Sequence, residues 1–108
     1  MPPGWVHPRA GPSVTAYRRH VVRYRVLISG LVQGVNFRAA CQRMAWQCGV
    51  AGWVRNLDDG RVEAVFEGPA GDVQRLVDWA RHGPRLAVVS DVAVRAEQPE
   101  GLGTFSIT

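Results

Sequence analysis

The residues whose types and spacing suit chemistry fall in two short stretches. In the first, Gly30-Leu31-Val32-Gln33-Gly34-Val35-Asn36 runs from the end of an alternating apolar segment into Phe37 and Arg38. Glycines in such a loop let successive backbone N–H groups turn to one side. A helix that begins right after it adds unpaired N–H groups and the positive end of its dipole, and together these make an anion site. Arg38 then stands in the first helical turn, where the dipole disfavours a cation by about 0.3–1 kcal/mol. A bound phosphate reverses that sign, and a guanidinium grips phosphate oxygens in bidentate fashion. The second stretch ends at Asn56, just ahead of Asp58-Asp59-Gly60. Its uncharged amide both donates and accepts, which suits holding a water in line with a phosphorus atom. Taken singly, the same residues also read as a solvated arginine beside a glycine turn and an ordinary turn asparagine.

Other chemistries are excluded by composition and spacing. All 13 basic residues are arginine, so there is no Schiff-base lysine and no phosphate loop ending in Gly-Lys-Ser/Thr. No G-x-S-x-G occurs, and the positions six beyond Cys41 and Cys48 hold Gln47 and Val54 rather than a phosphatase arginine. Metal ligands are too scattered for a zinc site, and neither a metal nor a cofactor is expected. Cys41 and Cys48 lie about 10 Å of helical rise apart, too far to be bridged, and read as reduced core thiols of an intracellular, cytoplasmic protein. An enzyme made from this chain works by positioning and electrostatics, without a covalent nucleophile.

The elements that must position these residues are legible as periods. Tyr24, Val26 and Ile28 alternate with Arg25, Leu27 and Ser29, which predicts a strand. Asn36 is placed to cap a helix whose apolar face is Phe37, Ala40, Cys41, Met44 and Cys48, stopped by Gly49. Residues 50–56 and 61–67 form two strands around an Asp-Gly hairpin turn. Residues 72–82 form a second helix on Val73, Leu76, Val77 and Ala80, with His82 in its last turn and Gly83-Pro84 as the stop. Residues 86–95 are a further strand, and Phe105 and Ile107 alternate in a short last one. The order β-α-β-β-α-β plus a terminal strand predicts an α+β, ferredoxin-like split βαβ sandwich, with both helices on one face of an antiparallel sheet. The first two strands then run parallel and end at the same edge, which brings Asn56 near the glycine loop and Arg38. Trp46, Trp53 and Trp79 read as packing residues.

The formal net charge is +4, a value that raises nucleic acid as a partner. Its distribution argues otherwise. Residues 1–23 hold four arginines and no acid, whereas residues 24–108 hold nine arginines and nine acids. Most of the excess, three of those four arginines, therefore belongs to a Pro/Arg-rich leader, residues 1–22, which reads as disordered, ahead of a folded domain over 23–108. The leader lacks the apolar run of a signal peptide, and its prolines break the amphipathic helix of a transit peptide. No segment approaches the roughly 18 apolar residues of a membrane span. RNA-binding sheets of this class need exposed aromatics, but the outward residues of the third strand are Arg61, Glu63, Val65 and Glu67. No specific nucleic acid, no membrane and a monomeric state are expected.

The run G-L-V-Q-G-V-N-F-R (Gly30–Arg38), followed by G-W-V-R-N (Gly52–Asn56) and D-G-R-V-E (Asp59–Glu63), resembles the acylphosphatase family. The later G-P-x-x-A (Gly83–Ala87) and F-S-I (Phe105–Ile107) extend the resemblance over about residues 22–107. It implies a small ferredoxin-like enzyme that hydrolyses the carboxyl–phosphate bond of acyl phosphates without a metal or covalent intermediate. It further implies that Arg38 binds phosphate with the backbone of Val32, Gln33, Gly34, Val35, Asn36 and Phe37, and that Asn56 orients the attacking water. A side chain at Gly34 is then expected to weaken binding. Leu57 departs from the hydroxyl residue that often follows the asparagine and removes a hydrogen bond there. The alternative is a non-catalytic phosphate- or partner-binding module of the same fold.

Overall fold

A computed structural model describes residues 4–7 and 20–108. The elements follow in the expected order. They are β1 (Val21–Leu31), α1 (Phe37–Cys48), β2 (Ala51–Asn56), β3 (Val62–Pro69), α2 (Ala70–Ala80), β4 (Val88–Glu97) and β5 (Phe105–Ile107). The sheet order is β4-β1-β3-β2-β5. β1 pairs antiparallel with both β3 and β4, and β2 pairs antiparallel with β3. β5 pairs parallel with β2, Val54 opposite Ile107, so the sheet is mixed where all-antiparallel pairing was expected. The parallel sense follows from the connection: β4 runs antiparallel to β1, and residues 98–104 cross the end of the sheet before β5 sets out along β2.

One layer of side chains joins the helices to the sheet. Val26 and Ile28 of β1, Val62, Ala64 and Phe66 of β3, and Val54 of β2 are fully buried. They meet Phe37, Cys41, Ala45 and Cys48 of α1 and Val73, Leu76, Val77 and Ala80 of α2. The period-2 and period-3.6 patterns thus mark the true interior. Burial pushes the Cys41 thiol well above its ordinary range and also raises Cys48, so both are free thiols whose thiolate form is disfavoured. Trp46 departs from its expected packing role, being 60% exposed. Nine positions beyond Phe37 at 100° each is half a revolution, which points it away from the core. His82 lies two residues past the end of α2, in the turn that its N–H closes onto the Trp79 carbonyl at 3.0 Å.

The other face of the sheet is not the open polar surface its residue types suggest. Val65 is fully buried and Glu67 is 3% exposed. Long side chains cover this face and pair on it. Glu97 accepts from Arg23 Nε at 3.0 Å, Arg25 Nε at 2.7 Å and an Arg95 terminal nitrogen at 3.0 Å. Glu63 pairs with Arg25 and Arg55, and these two guanidiniums stack over Trp53 at 5.4 and 5.3 Å from its ring centre. Glu67 accepts the backbone N–H groups of Glu100, Gly101 and Leu102 at 2.7–2.8 Å, tethering the loop before β5.

These guanidiniums, Arg25 first, hold the Glu97 carboxyl down at about 2. Backbone N–H donors and Arg23 outweigh desolvation and lower Glu67 as well. A carboxylate depressed in the fold stabilises it fully above its unfolded value of about 4.3, and that contribution is lost as pH falls toward the folded value. Thermal stability is therefore expected to decline from about pH 4.5 to about pH 2. Glu97→Ala leaves three guanidiniums without their shared partner. It should cost about 2–4 kcal/mol and lower Tm by about 10–20 °C at neutral pH, read by circular dichroism. An unchanged Tm would show the network to be dispensable.

Part of the expected leader is docked. Val6 forms an antiparallel bridge with Val94 on the outer edge of β4, with both backbone hydrogen bonds at 2.8 Å. Trp5 lies against Arg95, whose guanidinium carbon is 4.9 Å from its ring centre, and His7 meets Asp91 at 3.1 Å. The Trp5-Val6 pair is the one strand-like dipeptide among the prolines, and the unpaired edge of β4 supplies its partner. β1 also begins two residues before the expected domain start. Residues 1–3 and 8–19 of the leader lie outside the described residues.

Candidate active site

β1 and β2 both run antiparallel to β3, so their C-terminal ends emerge at one edge of the sheet. The loop after β1 and the last residue of β2 meet there around a cavity of about 230 Å³. Val32, Gly34, Asn36, Phe37, Arg38, Ala39, Asn56 and Ile107 line it. A larger hollow of about 490 Å³, bordered by Trp46 and Leu102, lies at the opposite end of the sheet. Its one carboxylate, Glu67, is fully engaged by backbone donors.

The loop is held at several points. Val32 and Phe37 are buried in the core at its two ends, and Val35 packs against the same core. Gly34 has φ 75° and Asn36 φ 68°, with Val35 on the negative side between them. Alternation in the sign of φ is the backbone pattern of an anion-binding nest, and asparagine tolerates the left-handed conformation better than most residues. Beyond its two chain neighbours, no atom of the described residues lies within 4 Å of a Cβ built on Gly34, so the demand for glycine there comes from φ and from the cavity it borders. Asn36 occupies the expected capping position but does not cap. Its side chain makes no capping hydrogen bond, which leaves the first-turn N–H groups of α1 to other partners.

The two key side chains are unengaged. Among the described residues, Arg38 is half-buried with no ion-pair or hydrogen-bond partner, and the amide of Asn56, also half-buried, has none either. Arg23, Arg25, Arg55, Arg61, Arg75 and Arg95 each have a carboxylate. A half-buried guanidinium at a helix N-terminus without a carboxylate is chemically suited to an external anion.

Of the residues expected here for their backbone N–H groups, Gln33 and Val35 direct their side chains away from the cavity. Val35 turns inward. The Gln33 side chain turns sideways, its Nε2 donating to the carbonyls of Leu57 at 2.7 Å and Arg61 at 2.9 Å. Ala39 and Ile107 line the cavity without having been expected. Ala39 follows from the helix start one residue after Asn36. The signal for Ile107 is its place in β5, but only the parallel pairing on β2 brings that strand to this edge.

Comparison with known proteins decides the affiliation. The acylphosphatase family model matches residues 24–107. The chain belongs to the acylphosphatase family. It is 60% identical over 86 residues to the acylphosphatase of Gloeobacter violaceus, which covers 80% of this chain and 92% of that protein. The crystal structure of acylphosphatase from Bacillus subtilis superposes with a TM-score of 0.79 at 41% identity, covering 81% of this chain and 98% of that one. An acylphosphatase from Coxiella burnetii superposes with a TM-score of 0.80 at 33% identity, over 87% and 99% of the two chains. The α+β fold and the enzyme class expected from the motifs are those of these relatives.

Proposed function

We propose that this acylphosphatase hydrolyses acyl phosphates at the cavity between the 32–37 loop and Asn56. The observation that carries the reading is a half-buried Arg38, unpaired among the described residues, lining the same cavity as Asn56. The phosphoryl group sits in the nest, its oxygens taking the backbone N–H groups of Val32–Phe37 and both arms of the Arg38 guanidinium. Asn56 holds a water on the side of phosphorus opposite the acyl oxygen. The water oxygen bonds to phosphorus as the phosphorus–acyl oxygen bond breaks, and the carboxylate leaves with the bonding pair. The water proton passes to a phosphate oxygen. A carboxylate leaves readily, so charge stabilisation and alignment matter more than a strong base. The fixed donors of the nest favour the charge spread over the equatorial oxygens in the transition state.

The test is turnover of benzoyl phosphate by the purified chain, beside calorimetric titration with inorganic phosphate. Hydrolysis above background supports the enzyme, whereas phosphate binding without turnover selects the non-catalytic module. EDTA is expected to leave the rate unchanged, and inhibition by it would overturn the metal-free mechanism.

A cytoplasmic, monomeric protein with small-molecule partners completes the reading. It is supported by two free, unbridged thiols and by a sheet face on which four arginines meet four glutamates. No helix of the described residues is long and apolar enough to cross a membrane. Weak, salt-sensitive adhesion to polyanions is assigned to the arginines of the leader.

A further inference from the structure

We infer that Gln33 is a positioning residue that sets where Asn56 stands relative to the anion loop; the inference rests on the roles proposed for Arg38 and Asn56. The two halves of the site come from segments far apart in sequence. The loop belongs to the β1–α1 connection, whereas Asn56 ends β2 at the mouth of a hairpin. Gln33 joins them directly. Both hydrogens of its Nε2 are spent, one on the Leu57 carbonyl at 2.7 Å and one on the Arg61 carbonyl at 2.9 Å. These carbonyls bracket the hairpin turn. Leu57 follows Asn56, and Arg61 precedes Val62, the residue paired with Asn56 across the ladder. The turn itself is closed by the Leu57 N–H on the Arg61 carbonyl at 2.8 Å and the Gly60 N–H on the Leu57 carbonyl at 3.2 Å. Gln33 therefore grips a rigid unit on which Asn56 is mounted.

The side-chain chemistry is specific. Two carbonyl acceptors demand two N–H donors from one atom, which a primary amide supplies and a carboxylate does not. Asparagine is one methylene shorter, and alanine removes both bonds. In-line attack tolerates little displacement, since about 1 Å of misplacement costs about a hundredfold in rate. Anion binding places no such demand, because the nest and Arg38 lie wholly on the loop and α1. Loss of the latch should therefore separate turnover from phosphate affinity.

The experiment compares wild type, Gln33→Ala, Gln33→Glu and Asn56→Ala. It measures kcat and KM for benzoyl phosphate and the inhibition constant of inorganic phosphate. Gln33→Ala is expected to lower kcat by about 10–100-fold while the inhibition constant stays within about threefold. The Gln33→Glu change is nearly isosteric and keeps the site readable if the alanine variant does not fold. Its ionised carboxylate faces two carbonyl oxygens, and only its protonated form donates. Its kcat relative to wild type should therefore climb as pH falls from about 8 to about 5.

A folded Gln33→Ala with kcat within about twofold of wild type overturns the inference. So does an inhibition constant that rises in step with the loss of kcat, or a Gln33→Glu ratio that is flat with pH. The Asn56→Ala control separates the two levels. If it keeps full turnover, the site assignment fails; if it loses turnover while the Gln33 variants do not, only the latch fails.

Discussion

Arg38→Ala is expected to remove both turnover and phosphate affinity, with kcat/KM falling by at least about a thousandfold. The size of the effect follows from what else is present. Arg38 lines the cavity, has no carboxylate among the described residues to share its charge, and stands in the first turn of a helix whose dipole already favours an anion. The loop N–H groups remain after the substitution, so some weak anion binding should survive at low salt. Arg38→Lys keeps the charge but loses the planar pair of donors and should recover only part of the rate. Steady-state kinetics with benzoyl phosphate, together with titration of inorganic phosphate, reads both effects. The fold should be indifferent, because Arg38 holds no structural partner among the described residues, and an unchanged Tm is the control. Retained turnover would remove Arg38 from the mechanism.

Asn56→Ala is expected to behave differently. Turnover should fall by about 10²–10³-fold while phosphate affinity stays close to wild type. Asn56 lines the cavity from the strand side and, in the proposed mechanism, holds the water rather than the anion. Asn56→Asp is a sharper probe of the same idea, since a carboxylate brings a negative charge toward the phosphate and should weaken binding as well. Turnover that survives Asn56→Ala, with phosphate affinity reduced instead, would reassign this residue to binding.

The legible part of the molecule was the part governed by local rules. The apolar alternation of Tyr24, Val26 and Ile28, the helical spacing from Phe37 to Cys48 and the Asp59-Gly60 turn each follow from a period or a turn preference among near neighbours. Strand sense follows from the same order, and it was enough to place Arg38 and Asn56 at one edge. What escaped had a long-range cause. Glu63, Glu67 and Glu97 look like solvated strand residues until four arginines from β1, β2 and β4 arrive over them. Val65 looks like an outward residue until that layer covers it. Val6 lies in a proline-rich leader and finds order only because β4 offers an unpaired edge. Trp46 errs the other way: an apolar type suggested packing, yet its helical phase sends it outward.

The amino-acid sequence by itself determined the order of elements, the parallel sense of β1 and β2, the family and two residues that line one cavity. These depend on periodicity, turn chemistry and motif spacing, all of which are carried by residues close together in the chain. The tertiary structure decided the rest: that Gln33 spends its side chain on the hairpin rather than on an anion, that Asn36 turns left-handed without capping, and that Ile107 closes one wall of the site. Each of those depends on which surfaces meet after collapse. An amide two residues past a strand finds its acceptors 24 and 28 positions away only when β2 and β3 already lie beside the loop.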